Sequence, residues 1–496
     1  MFVEATMPIR ISMDSSGMCK PQKRTLNKIL NNESTQIIFF ITVVLLSRMP
    51  FLFSGYGVDA DAWEVAITAK RIAQTGIYEV SRFPGYPIHE LVCSLFSGSY
   101  VTLNLLTTII STIGFLFFVF TLKALRFKSV LMAGFALAAV PIVYIHSTTT
   151  IDYTWALAFI LISLYFVVKK KPAMAGLFLG FAIGCRITSG ALLLPFAIML
   201  TQSGGLKKNA IVIAKLTATT CIVGALWFLP VYLRYGWSFF SYYDVPYPSI
   251  PEVLFKFSIG TFGVIGFAGL VIATGLLFFS DKFRHGKYLF PKAVSEKMVV
   301  AWLIAVDLYI IAFLKLPMES GYLIPIVPFI ILIFGKYLVE KAFAFFALAL
   351  IISPFIASIA PVDRLDAPAK SVLAINLTVA GEEVVFDPLS GPVISYASRR
   401  EKAMQFTSKV LDNIDTIHRK SLIIAGRWYT QIMVERTDTA LHTIQFIDHI
   451  NQKDLLKFIE DGFEIYYLPY QNHFNTLMYD FDPKSFGAIP FMNKSD

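Results

Sequence analysis

The chain has 496 residues, of which 56% are hydrophobic and only 16% are charged. A soluble globular domain carries about 25% charged residues, so this composition excludes an ordinary soluble protein. Several apolar runs reach the roughly 18–20 residues that cross a bilayer. The net charge of +9 lies in short connections between these runs, and we therefore expect no nucleic-acid partner. The composition predicts a polytopic all-α membrane protein that contacts membrane lipid.

The chain begins with a polar segment, residues 1–35, that carries scattered basic side chains and no small-residue cleavage site. This pattern predicts a cytosolic tail rather than a secretory signal. About 11 spans follow in a transmembrane domain over residues 36–360. Their expected limits are 36–53, 101–122, 129–146, 151–168, 173–186, 188–202, 212–232, 257–280, 298–315, 322–338 and 342–360.

Basic residues are concentrated in alternate connections, such as 123–128, 169–171 and 282–297. The positive-inside rule places these connections in the cytosol. The amino terminus is then inside, and the odd number of spans puts the carboxyl terminus outside. The first long loop, 54–100, is predicted to be outside as well.

That loop carries three acids within six positions, Asp59, Asp61 and Glu64, directly after the first apolar run. Clustered carboxylates raise one another's pKa and are candidates for a general base. Asp59 and Asp61 could also hold a divalent cation, although two carboxylates are weak evidence for a metal site. A structural alternative is that Asp61 caps a helix with Glu64 as its reciprocal partner. Apolar residues at helical spacing from Ala62 to Gln74 predict this helix, and Gly76 is expected to end it.

Further polar residues cluster on the same predicted side of the membrane. The turn Pro84–Pro87 cannot be helical and is expected to re-enter the protein. Arginine binds phosphate as a fork, and a carboxylate can take a proton from an attacking hydroxyl, so the cluster suits chemistry on a lipid-linked phosphate. The structural alternative is that these are charged side chains at the membrane interface whose ends extend into water. The substrate-binding candidates are Arg82, Tyr86, His89, Asp152, Arg186 and Tyr322.

The remaining chain, residues 361–496, is more polar and mixes short strand-like runs with helical stretches. The strand-like runs are 371–377, 421–425, 443–447 and 464–468, and the helical stretches are 398–414 and 452–460. Strands that alternate with helices predict a small soluble α/β domain.

Earlier in the chain, Asp307 lies in the middle of a span, where it is expected to pair with a neighbouring helix.

Five short motifs resemble, in the same order, those of the GT-C fold glycosyltransferases, especially the protein O-mannosyltransferases and lipid A aminoarabinose transferases. They are Ser47–Leu52 at the end of the first span, Asp61 with Ala66, Ala69-Lys70 and Thr75-Gly76, then Arg82–Pro87, Gly176–Arg186 and Gly321–Pro328. Two positions depart from the family pattern. Ala62 stands where the family usually has a second acid, and Glu319 stands where some relatives have a basic residue.

The resemblance implies a GT-C-like membrane glycosyltransferase that uses a polyprenyl-phosphate sugar donor on the extracytoplasmic side, with inversion. By its register Asp61 is the catalytic base, Arg82 and Arg186 hold the phosphate, and Asp59 or Glu64 assists. The acceptor would be a hydroxyl of a lipid, glycan or protein, no cofactor is required, and a bacterial-type cytoplasmic membrane is favoured over the endoplasmic reticulum. Two other classes remain open, namely a transporter or flippase of a lipid-linked glycan and a non-catalytic membrane subunit.

Overall fold

The computed structural model describes residues 32–492 except for nine short gaps. The gaps are 202–204, 241–246, 280–293, 362–369, 380, 415–416 with 418, 437–442, 469–478 and 480. Almost all of the predicted cytosolic tail lies outside the described residues, as does most of the basic connection 282–297.

The structure is mainly helical, and each predicted span overlaps one helix or two consecutive helical segments. The helices of this region are α1 Glu33–Arg48, α2 Ala60–Thr75, α3 Pro87–Ser94, α4 Tyr100–Ala124, α5 Val130–Ala139, α6 Pro141–His146, α7 Tyr153–Val168, α8 Pro172–Cys185, α9 Leu193–Leu200, α10 Leu206–Tyr235, α11 Ile250–Phe257, α12 Ile259–Phe279, α13 Glu296–Lys315, α14 Val327–Tyr337 and α15 Glu340–Ile352. Short 3₁₀ segments at Met49–Phe53, Ile187–Leu192, Gly236–Phe240 and Ser320–Ile326 adjoin α1, α9, α10 and α14.

Within the described residues, six helical segments are long and apolar enough to cross a membrane by length and composition. They are Glu33–Phe53, Tyr100–Ala124, Leu206–Phe240, Ile259–Phe278, Glu296–Lys315 and Ser320–Tyr337. The other predicted spans form shorter apolar helices. The predicted last span, 342–360, is too long at its end, because α15 stops at Ile352 and a strand begins at Ser358. Apolarity continues through Ile359, and hydropathy therefore could not separate the helix from the strand.

The helix of the first loop begins before the position expected if Asp61 were its N-cap residue. Ala60 is its first residue, Asp59 occupies the N-cap position with extended backbone and no capping hydrogen bond from its side chain, and Asp61 lies inside the first turn. Asp61 is therefore not the cap, and that structural alternative is wrong. The predicted end is confirmed: Gly76 has a φ of 68°, and its amide bonds the carbonyl of Ile72 at 2.8 Å.

Small residues bring the central helices close together. A Cβ added to Gly114 on α4 would lie 2.5 Å from the Cα of Ala158 on α7. At Gly176 on α8 it would lie 2.6 Å from the carbonyl oxygen of Leu216 on α10. Lipid gives no hydrophobic drive for helices to associate, so close backbone packing of this kind is what holds such bundles together.

The carboxyl-terminal region contains two sheets. An antiparallel sheet has the order β1-β3-β2, and a parallel sheet has the order β5-β4-β6-β7. The strands are β1 Ser358–Pro361, β2 Ile375–Val379, β3 Glu382–Asp387, β4 Ser421–Ile424, β5 Ile444–Ile447, β6 Glu464–Tyr467 and β7 Ile489–Pro490. The helices are α16 Pro392–Ile414, α17 Tyr429–Glu435 and α18 Gln452–Glu460. A small α/β fold is thus present where the sequence predicts one.

This α/β region packs directly on the first loop. Arg400 of α16, only 1% exposed, donates to the carbonyl oxygens of Gly55, Phe51 and Thr148. A buried guanidinium satisfied by carbonyl groups fixes the position of α16. The α/β region and the first loop therefore lie at the same end of the helical bundle, as their predicted common location requires.

Candidate functional site

The site is organised by a chain of four alternating charges at this end of the bundle. Nε of Arg82 lies 3.0 Å from a carboxylate oxygen of Asp61, and its Nη2 lies 2.7 Å from Oδ1 of Asp152. The second oxygen of Asp152 lies 2.6 Å from Nη1 of Arg186. The structure thus brings together four of the residues predicted from sequence. They form one network rather than scattered interfacial charges.

Each member of the network comes from the end of a different element. Asp61 lies in the first turn of α2 and Asp152 directly precedes α7. Arg186 follows α8 in extended conformation, with φ −152° and ψ 115°, and Arg82 lies in the turn before α3. Helix ends leave backbone groups exposed and are where chains change direction, so long-range side-chain contacts concentrate there.

The four charged side chains of this network are mostly buried, and they differ in how much of each is exposed. Asp152 has no exposed side-chain surface, whereas the side chains of Arg82 and Arg186 are 11% and 13% exposed. The side chain of Asp61 is 32% exposed, which makes it the most accessible member. A buried carboxylate needs paired cations and hydrogen bonds to be tolerated, and Asp152 has both arginines. The pKa of Arg82 is raised well above its usual value because Tyr86, Asp61 and Asp152 together outweigh the opposing effect of burial.

Aromatic rings surround the two guanidinium groups. Cζ of Arg186 lies 4.0 Å from the ring centre of Tyr153, 5.2 Å from that of Tyr322 and 5.3 Å from that of Tyr86. The Tyr86 ring also lies 4.2 Å from Cζ of Arg82. Cation–π contacts within about 6 Å are favourable, and these rings hold the arginines in place. Tyr86 and Tyr322, which the sequence analysis named as substrate-binding candidates, therefore lie against the network. Tyr153 also lies against Arg186, and the sequence analysis did not select it.

The two other acids of the first loop lie beside the network. The carboxylate of Asp59 accepts a hydrogen bond from the hydroxyl of Tyr396 at 3.2 Å, and that hydroxyl accepts the amide of Val58 at 3.2 Å. Tyr396 belongs to α16, and the α/β region thus contributes a side chain to the site. The pKa of Glu64 is raised by burial and by its neighbour Asp61.

Glu319 joins the site from the connection between α13 and the Ser320–Ile326 segment. Its pKa is raised well above the usual range by burial and by the nearby charges of Asp59 and Asp61. The sequence analysis noted Glu319 only as a departure from a family pattern. An acid two residues before Gly321-Tyr322 was the available signal. Gly321 is required there because a Cβ would lie 2.8 Å from the Tyr153 ring.

His89 lies beneath the site rather than on its surface. It is fully enclosed, its ring centre lies 5.0 Å from that of Trp155, and burial lowers its pKa to about 4. In this conformation it is enclosed by protein and has no surface to offer a substrate. The neighbouring acid, Glu90, is also fully buried, and burial raises its pKa while four hydrogen-bond donors oppose that rise.

Glu90 fixes the turn that carries Arg82. Its Oε1 accepts the amide and the hydroxyl of Ser81, both at 2.7 Å, and its Oε2 accepts the amide of Tyr86 at 3.1 Å and the hydroxyl of Tyr78. Both oxygens therefore face a backbone N–H. These hydrogen bonds connect Ser81 and Tyr86, which lie on either side of the turn, to α3.

We expect Glu90→Gln to loosen this turn. In either orientation of the glutamine amide, its NH₂ group would face a backbone N–H, and two donors cannot bond each other. Each buried polar group left without a hydrogen bond costs about 1–3 kcal/mol of folding free energy. The variant should unfold at a lower temperature than the wild type. Thermal unfolding of the purified protein measures this effect. Glu79→Gln is the matched control, because Glu79 makes only a 3.9 Å surface pair with Arg71. Equal behaviour of the two variants would contradict the positioning role of Glu90.

Asp59 and Asp61 are the residues that the sequence offered as ligands of a divalent cation. The residues that the structure describes contain no group of three or more His, Cys, Asp and Glu side chains that could hold a metal ion. The carboxylates of Asp59 and Asp61 have protein partners already, Tyr396 and Arg82.

The fold has counterparts among solved structures. Two crystal structures of ArnT from Cupriavidus metallidurans match with a TM-score of 0.51, one bound to undecaprenyl phosphate at 12% identity and one in the apo state at 11% identity. The matches cover 92% of this chain and 90% or 89% of ArnT. No family model and no curated protein matches the sequence. At this identity the likeness concerns the fold, and in its fold this membrane protein resembles ArnT and the GT-C glycosyltransferases.

Proposed function

We propose that the protein is an integral membrane glycosyltransferase that moves a sugar from a polyprenyl-phosphate donor to an acceptor hydroxyl. The observation that carries this proposal is the network of Asp61, Arg82, Asp152 and Arg186 at one end of an ArnT-like fold. ArnT itself was crystallised with undecaprenyl phosphate. A lipid phosphate at this end of the bundle would meet two arginines, and arginine is the residue best suited to bind phosphate.

In the proposed reaction, the acceptor oxygen attacks the anomeric carbon on the face opposite the phosphate. A new carbon–oxygen bond forms as the bond to the phosphate oxygen breaks, the electron pair leaves with the polyprenyl phosphate, and the configuration inverts. Asp61 takes the hydroxyl proton. It suits this role because it is the most accessible acid of the network and lies in the first turn of α2, beside Arg82.

The arginines stabilise the leaving phosphate. A guanidinium carries five N–H donors, and the contact with Asp152 uses only Nη1 of Arg186. Donors therefore remain for the phosphate while Asp152 keeps the two arginines adjacent. Tyr86 and Tyr322 flank Arg186 and line the site, and Asp59 and Glu64 orient the sugar or the acceptor.

We place this site on the extracytoplasmic face, with the amino terminus in the cytosol and residues 361–496 as an extracytoplasmic domain. The support is the distribution of basic connections in the sequence together with the direct packing of α16 on the first loop. We further propose that the membrane is a bacterial-type cytoplasmic membrane and that the transfer needs no metal ion.

The phosphate contacts can be tested directly. Arg82→Ala and Arg186→Ala should each weaken binding of undecaprenyl phosphate by the loss of a charge-assisted contact, about 1.5–3 kcal/mol. Lysine at either position should restore binding only in part, because the fork geometry is lost. Native mass spectrometry of the purified protein measures the bound lipid. Arg71→Ala, which removes an exposed arginine of the same loop, is the control. Wild-type affinity in both site variants would contradict the assignment.

The reaction itself is tested with purified protein and polyprenyl-phosphate sugars. A glycosyltransferase releases polyprenyl phosphate, with or without EDTA, in step with the appearance of a glycosylated acceptor. A flippase would instead move the intact lipid across liposomes without cleaving it, and a non-catalytic subunit would do neither. Either of these outcomes would replace the proposed function.

A further inference from the structure

The outer surface of α13 carries an acid that the site does not use, Asp307. Its side chain is exposed, and among the residues that the structure describes it has no partner on a neighbouring helix, contrary to the sequence expectation. It lies about 16 Å along the axis from Glu296, near the middle of the span. Between Val300 and Leu314, the other exposed residues of the same face are large and apolar, namely Val300, Leu303, Ile311 and Leu314. Their spacing of three or four residues makes one continuous stripe, which we call the Asp307 stripe.

A carboxylate at this depth is costly. A charge at the centre of a bilayer is unfavourable, and such residues normally face a partner within the protein. Aspartate has a single methylene group and cannot extend to the headgroups from mid-membrane, as lysine or arginine can. Within the described part of the chain, Asp307 has no ion-pair or hydrogen-bond partner.

The complementary charge lies on α10. Lys215 is exposed there, about 13 Å along the axis from Leu206, and it too has no side-chain partner among the described residues. Its helix face is otherwise apolar, with Ile211, Ile222, Leu226, Leu229 and Leu233 exposed at spacings of three, four or seven residues. We call this face the Lys215 stripe. Asp307 is the single ionisable residue of its stripe between Val300 and Leu314, and Lys215 is the single one of its stripe between Ile211 and Leu233. Lys208 and Glu296 lie on the same faces near the starts of the two helices.

The two charges lie at nearly the same depth. Nζ of Lys297, at the start of α13, bonds the carbonyl of Thr201, close to the start of α10, at 3.1 Å, so both helices begin at the same end of the bundle. The two axial distances differ by only about 3 Å, which is less than the length of a lysine side chain. The short helix α9 contacts both α10 and α13. Asp307 and Lys215 nevertheless do not form an ion pair within one chain.

We propose that a second copy of the chain docks here, with Asp307 of one protomer paired to Lys215 of the other. Two copies related by a two-fold axis along the membrane normal keep their helices parallel, so the two charges remain at matching depth. Two reciprocal ion pairs can then form, as an isologous interface requires. The apolar stripes on either side of each pair supply van der Waals contact and exclude lipid.

Charge complementarity within the chain itself favours a second copy over another occupant. A copy brings the required cation at the required depth on an exposed apolar face. The pairing also satisfies both unpartnered side chains at once, whereas a foreign helix with a cation would leave Lys215 unpaired. In such an interface, the ion pair fixes the register of the two helices, whose other contacts are apolar.

Charge reversal tests the pairing. Asp307→Lys and Lys215→Asp should each weaken the dimer of full-length protein in liposomes at least tenfold, measured by single-molecule photobleaching over a range of protein densities. The double reversal Asp307→Lys with Lys215→Asp restores the pair in opposite sense and should recover the wild-type dimer. Lys207→Asp, at the exposed cytosol-proximal start of α10, is the control and should leave the dimer unchanged.

Asp307→Leu adds a variant that keeps the stripe apolar and avoids a buried repulsion. It should also weaken the dimer while its thermal unfolding stays close to that of the wild type. A monomeric wild type at every density would overturn the proposal. So would a dimer that tolerates both single reversals, a double reversal that fails to recover, or a different membrane protein found bound at Asp307 by native mass spectrometry.

Discussion

Asp61→Asn is expected to fold normally and to transfer sugar about 10²–10⁴-fold more slowly than the wild type, because an amide cannot accept the acceptor's proton. The amide retains the size and polarity of the carboxylate and can still accept a hydrogen bond from Arg82. Lipid-phosphate binding should therefore persist. Initial rates of transfer, with undecaprenyl phosphate binding measured in parallel, separate the two effects.

The structure makes this substitution more diagnostic than the sequence alone allowed. Asp59, not Asp61, occupies the N-cap position of α2, and no capping hydrogen bond is lost when Asp61 is changed. Asp59→Asn is the matched control and should show a smaller defect, since its carboxylate is engaged by Tyr396. An inactive Asp59→Asn with an active Asp61→Asn would make Asp59 the base. Activity in both variants would remove the general-base mechanism altogether.

Asp152→Ala is expected to cause the largest loss of stability. Its carboxylate is unexposed and joins the two arginines, so its removal leaves Arg82 and Arg186 in a confined space without their common counter-ion. Removing one partner of a buried pair costs about 3–5 kcal/mol. A clear fall in the unfolding temperature in detergent should follow, and lipid-phosphate binding should fall with it because the arginines no longer stay adjacent.

The control for Asp152 is another acid in an ion pair of similar length. Glu252→Ala breaks the pair with Lys256 at 2.7 Å, but the Glu252 side chain is 49% exposed, and an exposed pair contributes about 1 kcal/mol or less. Asp152→Asn keeps the shape of the site and should lie between the two. If Asp152→Ala unfolds at the wild-type temperature, the four-charge network does not hold the site together.

Local properties of the sequence determined much of the architecture. Apolar runs located the helical segments of the bundle, since hydropathy depends on composition alone. The spacing from Ala62 onward and the glycine at position 76 determined the first-loop helix and its end. Short β-branched runs located β4, β5 and β6 of the parallel sheet, with limits within one residue of those observed. Each of these features depends on neighbours within a few positions.

Long-range packing decided the site's connections. Asp152 meets Arg82 from 70 positions away, and Tyr396 meets Asp59 from 337 positions away. No local pattern predicts such contacts.

Tertiary structure also decided which face of α13 is outermost. Lipid is as apolar as leucine, so a helix that is apolar all round carries little signal of which side faces protein and which faces lipid. For that reason the sequence could place Asp307 at mid-membrane depth, but only the folded bundle shows that it points outward.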